Sequence, residues 1–246
     1  TARMEDRYFQ TNIIDFSETK HDESTYSIFG GSIVLEGSTL NARQFATQGS
    51  REKMAAQIFT GTEHFRSGAS KVTKDTPEPY KKVQSWLQVS YQNETYHKVS
   101  PKFTLGAYLE AYYSSRNFSN NYTATLMQAG EFTPTAHSKV TYNEAFRANQ
   151  YAGVGTMPIY QLSESFQLRG EFYGFIPIFP IKKDEYGQAY YGKAFTKFEY
   201  LGEISLVFQL SFGSISAYVN HYSSPSNDWN VGLTLGWQLF NSRFVE

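Results

Sequence analysis

The stretch 229–240, reading WNVGLTLGWQLF, restricts the fold of this chain more than any other. Trp229, Val231, Leu233, Leu235, Trp237 and Leu239 share one parity, and Asn230, Gly232, Thr234, Gly236 and Gln238 share the other. Period two puts these sets on opposite faces of a strand, one wholly apolar and one small or polar. A run of about 11 residues is the length at which a tilted strand crosses a bilayer. Trp at both ends of the apolar face is where aromatic girdles meet the two membrane interfaces. The same pattern also fits a strand of a soluble sandwich or a lipocalin-like barrel, with its apolar face turned inward. The rest of the chain has to separate the two.

From the N-terminus, 8–16 is a weak strand candidate without clean alternation, and polar 17–25 reads as a turn or loop. Over 28–36, Phe29, Gly31, Ile33 and Leu35 face away from Ser32 and Glu36. A polar connection with Gly37 and Gly49 follows. Alternation then resumes over 51–60 and 84–92, on either side of a polar loop at 67–82. Over 103–112, Phe103, Leu105, Ala107, Leu109 and Ala111 oppose Thr104, Gly106, Tyr108, Glu110 and Tyr112. The segment 114–149 is long for a connection, and such loops are usually functional or disordered. Further strands are expected at 151–160, with Pro158 at a bulge or strand end, and at 166–176. After a second polar loop at 182–197 come two closely spaced strands, joined by a tight turn at 212–214, and then 229–240. About ten strands and no helix longer than two turns define an all-β, antiparallel chain. Short turns at one end and long loops at the other are the habit of a transmembrane β-barrel.

The mid-strand charges favour the membrane reading. Lys53, Glu110, Arg169, Glu171 and Glu203 all take the parity opposite the apolar residues. On a lipid-facing surface, Arg or Lys near the midplane costs roughly 2–4 kcal/mol. In a dry soluble core the same groups would need partners throughout, whereas facing a wet lumen they cost little.

Composition excludes several function classes. Lys+Arg total 22 and Asp+Glu 23, a net charge of −1, which argues against a nucleic-acid partner. Aromatics make up 17% of residues although mean hydropathy is −0.48, as expected where only alternate residues face lipid. The absence of Cys rules out a disulfide framework, a Cys-ligated metal and a thiol nucleophile. His21, His64, His97, His137 and His221 show no metal-binding spacing, and no cofactor is expected. The sequence opens TARMEDRYF, without a starting Met or a signal peptide, and so reads as a mature or excised piece.

Specific strings carry a family resemblance. SLVFQLSFGSISAYVNHY followed by NVGLTLGWQLF resembles the final hairpin and closing strand of the BamA/TamA outer-membrane assembly superfamily. TLNARQFATQGSREKMAAQIFTG resembles a turn between strands of that superfamily. Together with NYTATLMQAGEF, FRANQYAGVG and LRGEFYGFIPI, it is similar to the C-terminal barrel of Bacteroidetes-type patatin-like phospholipase proteins. The resemblance runs over about residues 26–244. It implies that 1–246 is the C-terminal portion of a sixteen-stranded barrel in the bacterial outer membrane, with a patatin-like domain upstream of this chain. It implies outer-membrane lipid and the outer-membrane assembly machinery as partners, and a homo-oligomer is open. GSISA at 213–217 has Ala where the G-x-S-x-G nucleophile motif ends in Gly, so the chain is expected to anchor or help export a hydrolase rather than be one.

In such barrels a long loop enters the lumen on an Arg-Gly-aromatic tip. Phe146-Arg147-Ala148 resembles that tip, with Ala in place of Gly, and Arg147 is expected to dock on Glu110, Glu171 or Glu203. Arg169 and Glu171, two apart on one face, are placed to pair. A hydrolase using two of the three carboxylates is the enzymatic alternative, although nothing in the sequence sets their separation. The other class of function is a soluble or surface β-barrel that binds lipid or glycan through its Tyr-rich loops.

Overall fold

The computed structural model describes residues 2–8, 22–66, 80–185, 187–224 and 229–237. Ten strands form one antiparallel sheet: β1 (Ala2–Tyr8), β2 (Asp22–Ser38), β3 (Gly49–Arg66), β4 (Tyr80–Lys98), β5 (Phe103–Ser114), β6 (Gln150–Gln161), β7 (Phe166–Pro177), β8 (Glu199–Leu210), β9 (Gly213–Tyr222) and β10 (Trp229–Trp237). Each pairs with the next in sequence, an unbroken meander whose edges are β1 and β10. Among the described residues those two edges are not paired with each other.

From β5 to β8 the alternation read from the sequence is the alternation of burial, whereas over 29–38 of β2 both faces are exposed. Along β5 the odd positions Leu105, Ala107, Leu109 and Ala111 are exposed, while Thr104, Gly106 and Glu110 are buried. Along β7 and β8, Leu168, Phe172, Ile204 and Leu206 point outward, and Gln167, Arg169, Glu171, Glu203 and Ser205 inward. Leu233 is 82% exposed and Glu203 only 2%. The apolar face is therefore the outer one, opposite to the arrangement of a soluble sandwich.

The sheet is strongly curled. The connection 39–48 joins β2 to β3, yet its backbone takes hydrogen bonds from Gln167 and Arg169 on β7 and Gln209 on β8. In a flat sheet β3 and β8 would lie roughly 24 Å apart, five steps of about 4.8 Å. Curling brings them to one short loop. The concave side is filled from both ends. The connection 39–48 enters at the end of the short turns, 99–102, 162–165 and 211–212, and 115–149 at the end of the long loops.

The segment 115–149 is a folded plug. Asn121 caps its helix α1 (Tyr122–Gln128) by accepting from the Ala124 N–H at 2.8 Å. Gly130–Glu131 and Arg147–Ala148 then zip into a two-residue ribbon. Phe132 lies at the centre of the interior, stacked on Phe175 at 5.5 Å and edge-on to Tyr151 and Tyr173. Gly153 on β6 makes this possible, because a Cβ there would sit 2.1 Å from the Phe132 ring. A second ribbon, Ile181–Lys183 with Ala189–Tyr191, overlaps the polar loop expected at 182–197 and begins one residue before it.

Several expectations are corrected. Asp22–Thr25 belongs to β2, because Ser24 is buried and Tyr26 turns inward to bond Ser119 of the plug, overriding the polar local sequence. The first strand is Ala2–Tyr8, and 9–16 lies outside the described residues. β2, β3 and β4 reach 17, 18 and 19 residues, well beyond their clean alternation. Pro158 sits inside β6 without a bulge. The β6–β7 register is the same on both sides of it, with only the ladder interrupted opposite Gly170, whose missing side chain leaves room for the proline ring. The tight turn is Ser211-Phe212, and Gly213 already pairs with Leu210.

Gly153→Ala should overpack the interior against Phe132 and lower stability by about 1–3 kcal/mol. Gly31→Ala, on an open stretch of β2, should change little. Denaturant unfolding of the two variants beside the parent chain checks the contrast.

Candidate functional site

The inward face of β7 and β8 carries the densest group of charges, and each is held by protein atoms. The Arg169 Nε donates to the Glu171 carboxylate, Nη1 to the Ala46 carbonyl at 2.8 Å and Nη2 to the Tyr96 hydroxyl at 2.7 Å. The other Glu171 oxygen accepts from the Tyr173 hydroxyl at 2.9 Å. A buried charge is tolerated only with such full pairing. Gln167 donates to the Phe45 carbonyl at 3.2 Å, and Gln209 reaches the carbonyls of Phe45 and Gln44. Three successive carbonyls of one loop are thus gripped by side chains of β7 and β8.

That loop is strained at its tip. Phe45 has φ +53°, a left-handed conformation costing a bulky side chain about 1–2 kcal/mol. Asn41 closes the loop by accepting from the N–H groups of Thr47 and Gln48, and Gly49 leaves it at φ +93°, where a Cβ would strike the Thr39 carbonyl. The strand donors hold Phe45 in place.

Glu110 accepts from Tyr108 at 2.5 Å and from Tyr151 at 2.6 Å, and Tyr151 also approaches the Glu131 carbonyl. Glu203 lies 2.6 Å from Nδ1 of His137, a plug residue stacked on Tyr218 at 3.5 Å, and takes a longer bond from Asn220. Glu63 on β3 faces Tyr26 and the Asn120 N–H. The wet lumen expected for the strand charges is therefore corrected: Glu110, Arg169, Glu171 and Glu203 are buried and bonded to side chains and loop backbone. Lys53 keeps the inward parity and is half-buried.

Arg147 lies apart from the strand carboxylates. Its Nη2 pairs with Glu131 at 2.7 Å, its Nη1 donates to the Leu126 carbonyl at 3.3 Å, and its guanidinium lies over the Tyr142 ring. The ribbon dictates this, because Glu131 and Arg147 are direct cross-strand partners. Glu110, Glu171 and Glu203 already have the partners described above. Burial pushes the Tyr122 phenol up to about 12, and it also raises the Tyr142 phenol despite Arg147 nearby.

Glu171 and Glu203 are opposite each other across β7 and β8, yet one turns to Arg169 and the other to His137. Among the described residues no group of His, Asp and Glu could hold a metal ion. On β10, Trp229, Val231, Leu233 and Leu235 point outward and are exposed. The Trp237 side chain and Leu239 lie outside the described residues.

Glu63 and Tyr96 were within reach of the sequence pattern, since both extend the alternation of β3 and β4 past its clean part. His137 gave no signal, lying in an aperiodic loop. No family model, curated protein or solved structure matches this chain.

A double-mutant cycle separates the Arg147 partners. Arg147→Ala and Glu131→Ala should couple by about 0.5–3 kcal/mol, whereas Arg147→Ala and Glu171→Gln should add within about 0.5 kcal/mol. Arg169→Leu, which strands Glu171 as a buried charge, should cost about 3–5 kcal/mol. Unfolding midpoints of the variants provide all three values.

Proposed function

We propose that this chain is the wall of an outer-membrane β-barrel that anchors, or helps to export, an upstream patatin-like hydrolase domain. One observation carries the membrane part of this reading: from β5 to β10, no outward position of the described strands holds Asp, Glu, Lys or Arg. Six adjacent strands present Leu, Ile, Val, Phe, Ala and Gly with a few uncharged polar residues. A continuous apolar face of that extent far exceeds the few hundred Å² that soluble monomers expose. Aromatic residues border it, with Phe103, Tyr160, Phe166 and Phe208 at the short-turn end and Tyr113, Tyr200 and Trp229 at the long-loop end. This is the arrangement of interfacial girdles. The inverted interior agrees, because polar groups facing away from lipid must be satisfied internally.

The hydrolase part rests on the resemblance of the strings around 26–244. On this reading the strands seen here are the C-terminal part of a sixteen-stranded barrel, and the chain is an anchor rather than a catalyst. Its partners are outer-membrane lipid and the machinery that assembles such barrels, and further copies of the chain are compatible with it. The long-loop end, bearing 115–149 and 178–198, faces outward from the cell, and Ser211-Phe212 faces the periplasm.

The chain has no Cys, so a single one reports cleanly. In membranes, Cys at Leu233 should react with a lipid-soluble maleimide and resist a charged one. Leu233 is fully outward, so in a soluble protein the charged reagent would label it readily, and that result would remove the membrane reading. Cys at Met127, on the plug helix, should react from the outside of intact cells.

A further inference from the structure

On the outward face the apolar belt has a gap near the long-loop end. Two cross-strand rows pass through it, Val154–Gly174–Tyr200 and Thr156–Phe172–Gly202–His221–Trp229. Each contains a glycine where its neighbours carry large side chains. A Cβ on Gly202 would make only ordinary contact with Phe172, at 3.6 Å, so the space before it is open. The Phe198 ring leans over Gly174, 2.9 Å from where a Cβ would lie. The result is a groove of about 630 Å³ walled by Phe172, Phe198, Tyr200, Ile204 and Val219. That volume is within the range of small-molecule sites, about 300–1,000 Å³.

The groove has two chemically different ends. Toward the middle of the strands it is bordered by Ile204 and Val219, which are direct partners. Toward the loops it is bordered by side chains with an apolar body and a polar tip: Tyr200 stacks on His221 at 5.9 Å, and His221 lies tilted against Trp229 at 4.8 Å. No Asp, Glu, Lys or Arg side chain enters it, since Glu203 in its floor turns inward to His137. A peptide laid here would leave its backbone groups without partners along the apolar half. A molecule with a long hydrocarbon portion and a polar end matches both halves.

We propose that this groove seats one acyl chain of a membrane lipid, with the chain along Phe172 and Ile204 and the acyl linkage beside Tyr200, His221 and Trp229. The proposal rests on the membrane reading and adds to it a fixed lipid site, distinct from the lipid that merely surrounds the belt.

The test is photolabelling in vesicles of phosphatidylethanolamine and phosphatidylglycerol, doped with a phospholipid carrying a diazirine in its acyl chain. Labelled peptides are mapped by mass spectrometry. Peptides covering β7 and β8 should be labelled several-fold more than those of β3 and β5. Gly202→Leu, which fills the groove without a backbone clash, should reduce them to the common level, and Gly31→Leu should not. Should Gly202→Leu fail to assemble, Val219→Phe narrows the groove from β9 and should have the same effect. Even labelling of all outward strands in the parent chain, or an excess that survives both groove variants, would overturn the lipid site. Absence of label from every outward strand would instead overturn the membrane reading itself.

Discussion

The Arg169 guanidinium is the contact on which the rest of the interior depends. It joins three parts of the chain distant in sequence: Glu171 beside it on β7, Tyr96 on β4 and the Ala46 carbonyl in the loop between β2 and β3. A sheet with its apolar side outward leaves charged groups on its inner face, which the buried aromatic cluster alone cannot satisfy. Hydrogen bonds to those charged groups, each worth about 1.5–3 kcal/mol, tie the inner face together beside that cluster. Arginine suits the task because its planar fork addresses several acceptors at once and stays charged under all conditions met in water. Gln167 and Gln209 add uncharged donors along the same loop, and together they hold Phe45 in its left-handed conformation.

The aromatic residues complete what the ion pairs begin. Phe132, Tyr151, Tyr173 and Phe175 form a packed group in which two tyrosines donate to carboxylates on the wall. Tyrosine fills volume as a hydrophobe would and still satisfies Glu110 and Glu171, so the charge of the wall is absorbed without solvent. The high aromatic content of the sequence therefore has two uses. Outward rings border the belt, and inward rings bond to acids.

The strands were legible because period two survives wherever one face must be apolar. The stretch 103–112 could be read residue by residue, and its apolar set lies on the more exposed face throughout. Legibility ended where packing overrode local preference. Asp22–Thr25 looks like a loop until Tyr26 finds the plug, and Pro158 looks like a break until Gly170 makes room for it. The interior contacts were least visible. The Ala46 and Phe45 carbonyls carry no side-chain signature, and His137 meets Glu203 from 66 residues away. Arg147 meets Glu131 rather than the strand carboxylates expected from the sequence, because its partner depends on a two-residue ribbon too short to leave a pattern.

The meander ends on β10, one side of which pairs with β9 while the other side meets no described strand. In water such an edge is satisfied by solvent. In hydrocarbon each unmet peptide group costs several kcal/mol, so an unpaired edge on this sheet is a barrier to entering the bilayer. If the outward face meets lipid, as proposed above, this edge needs a neighbour before insertion or together with it. On that reading, strand recruitment and membrane entry are one coupled step.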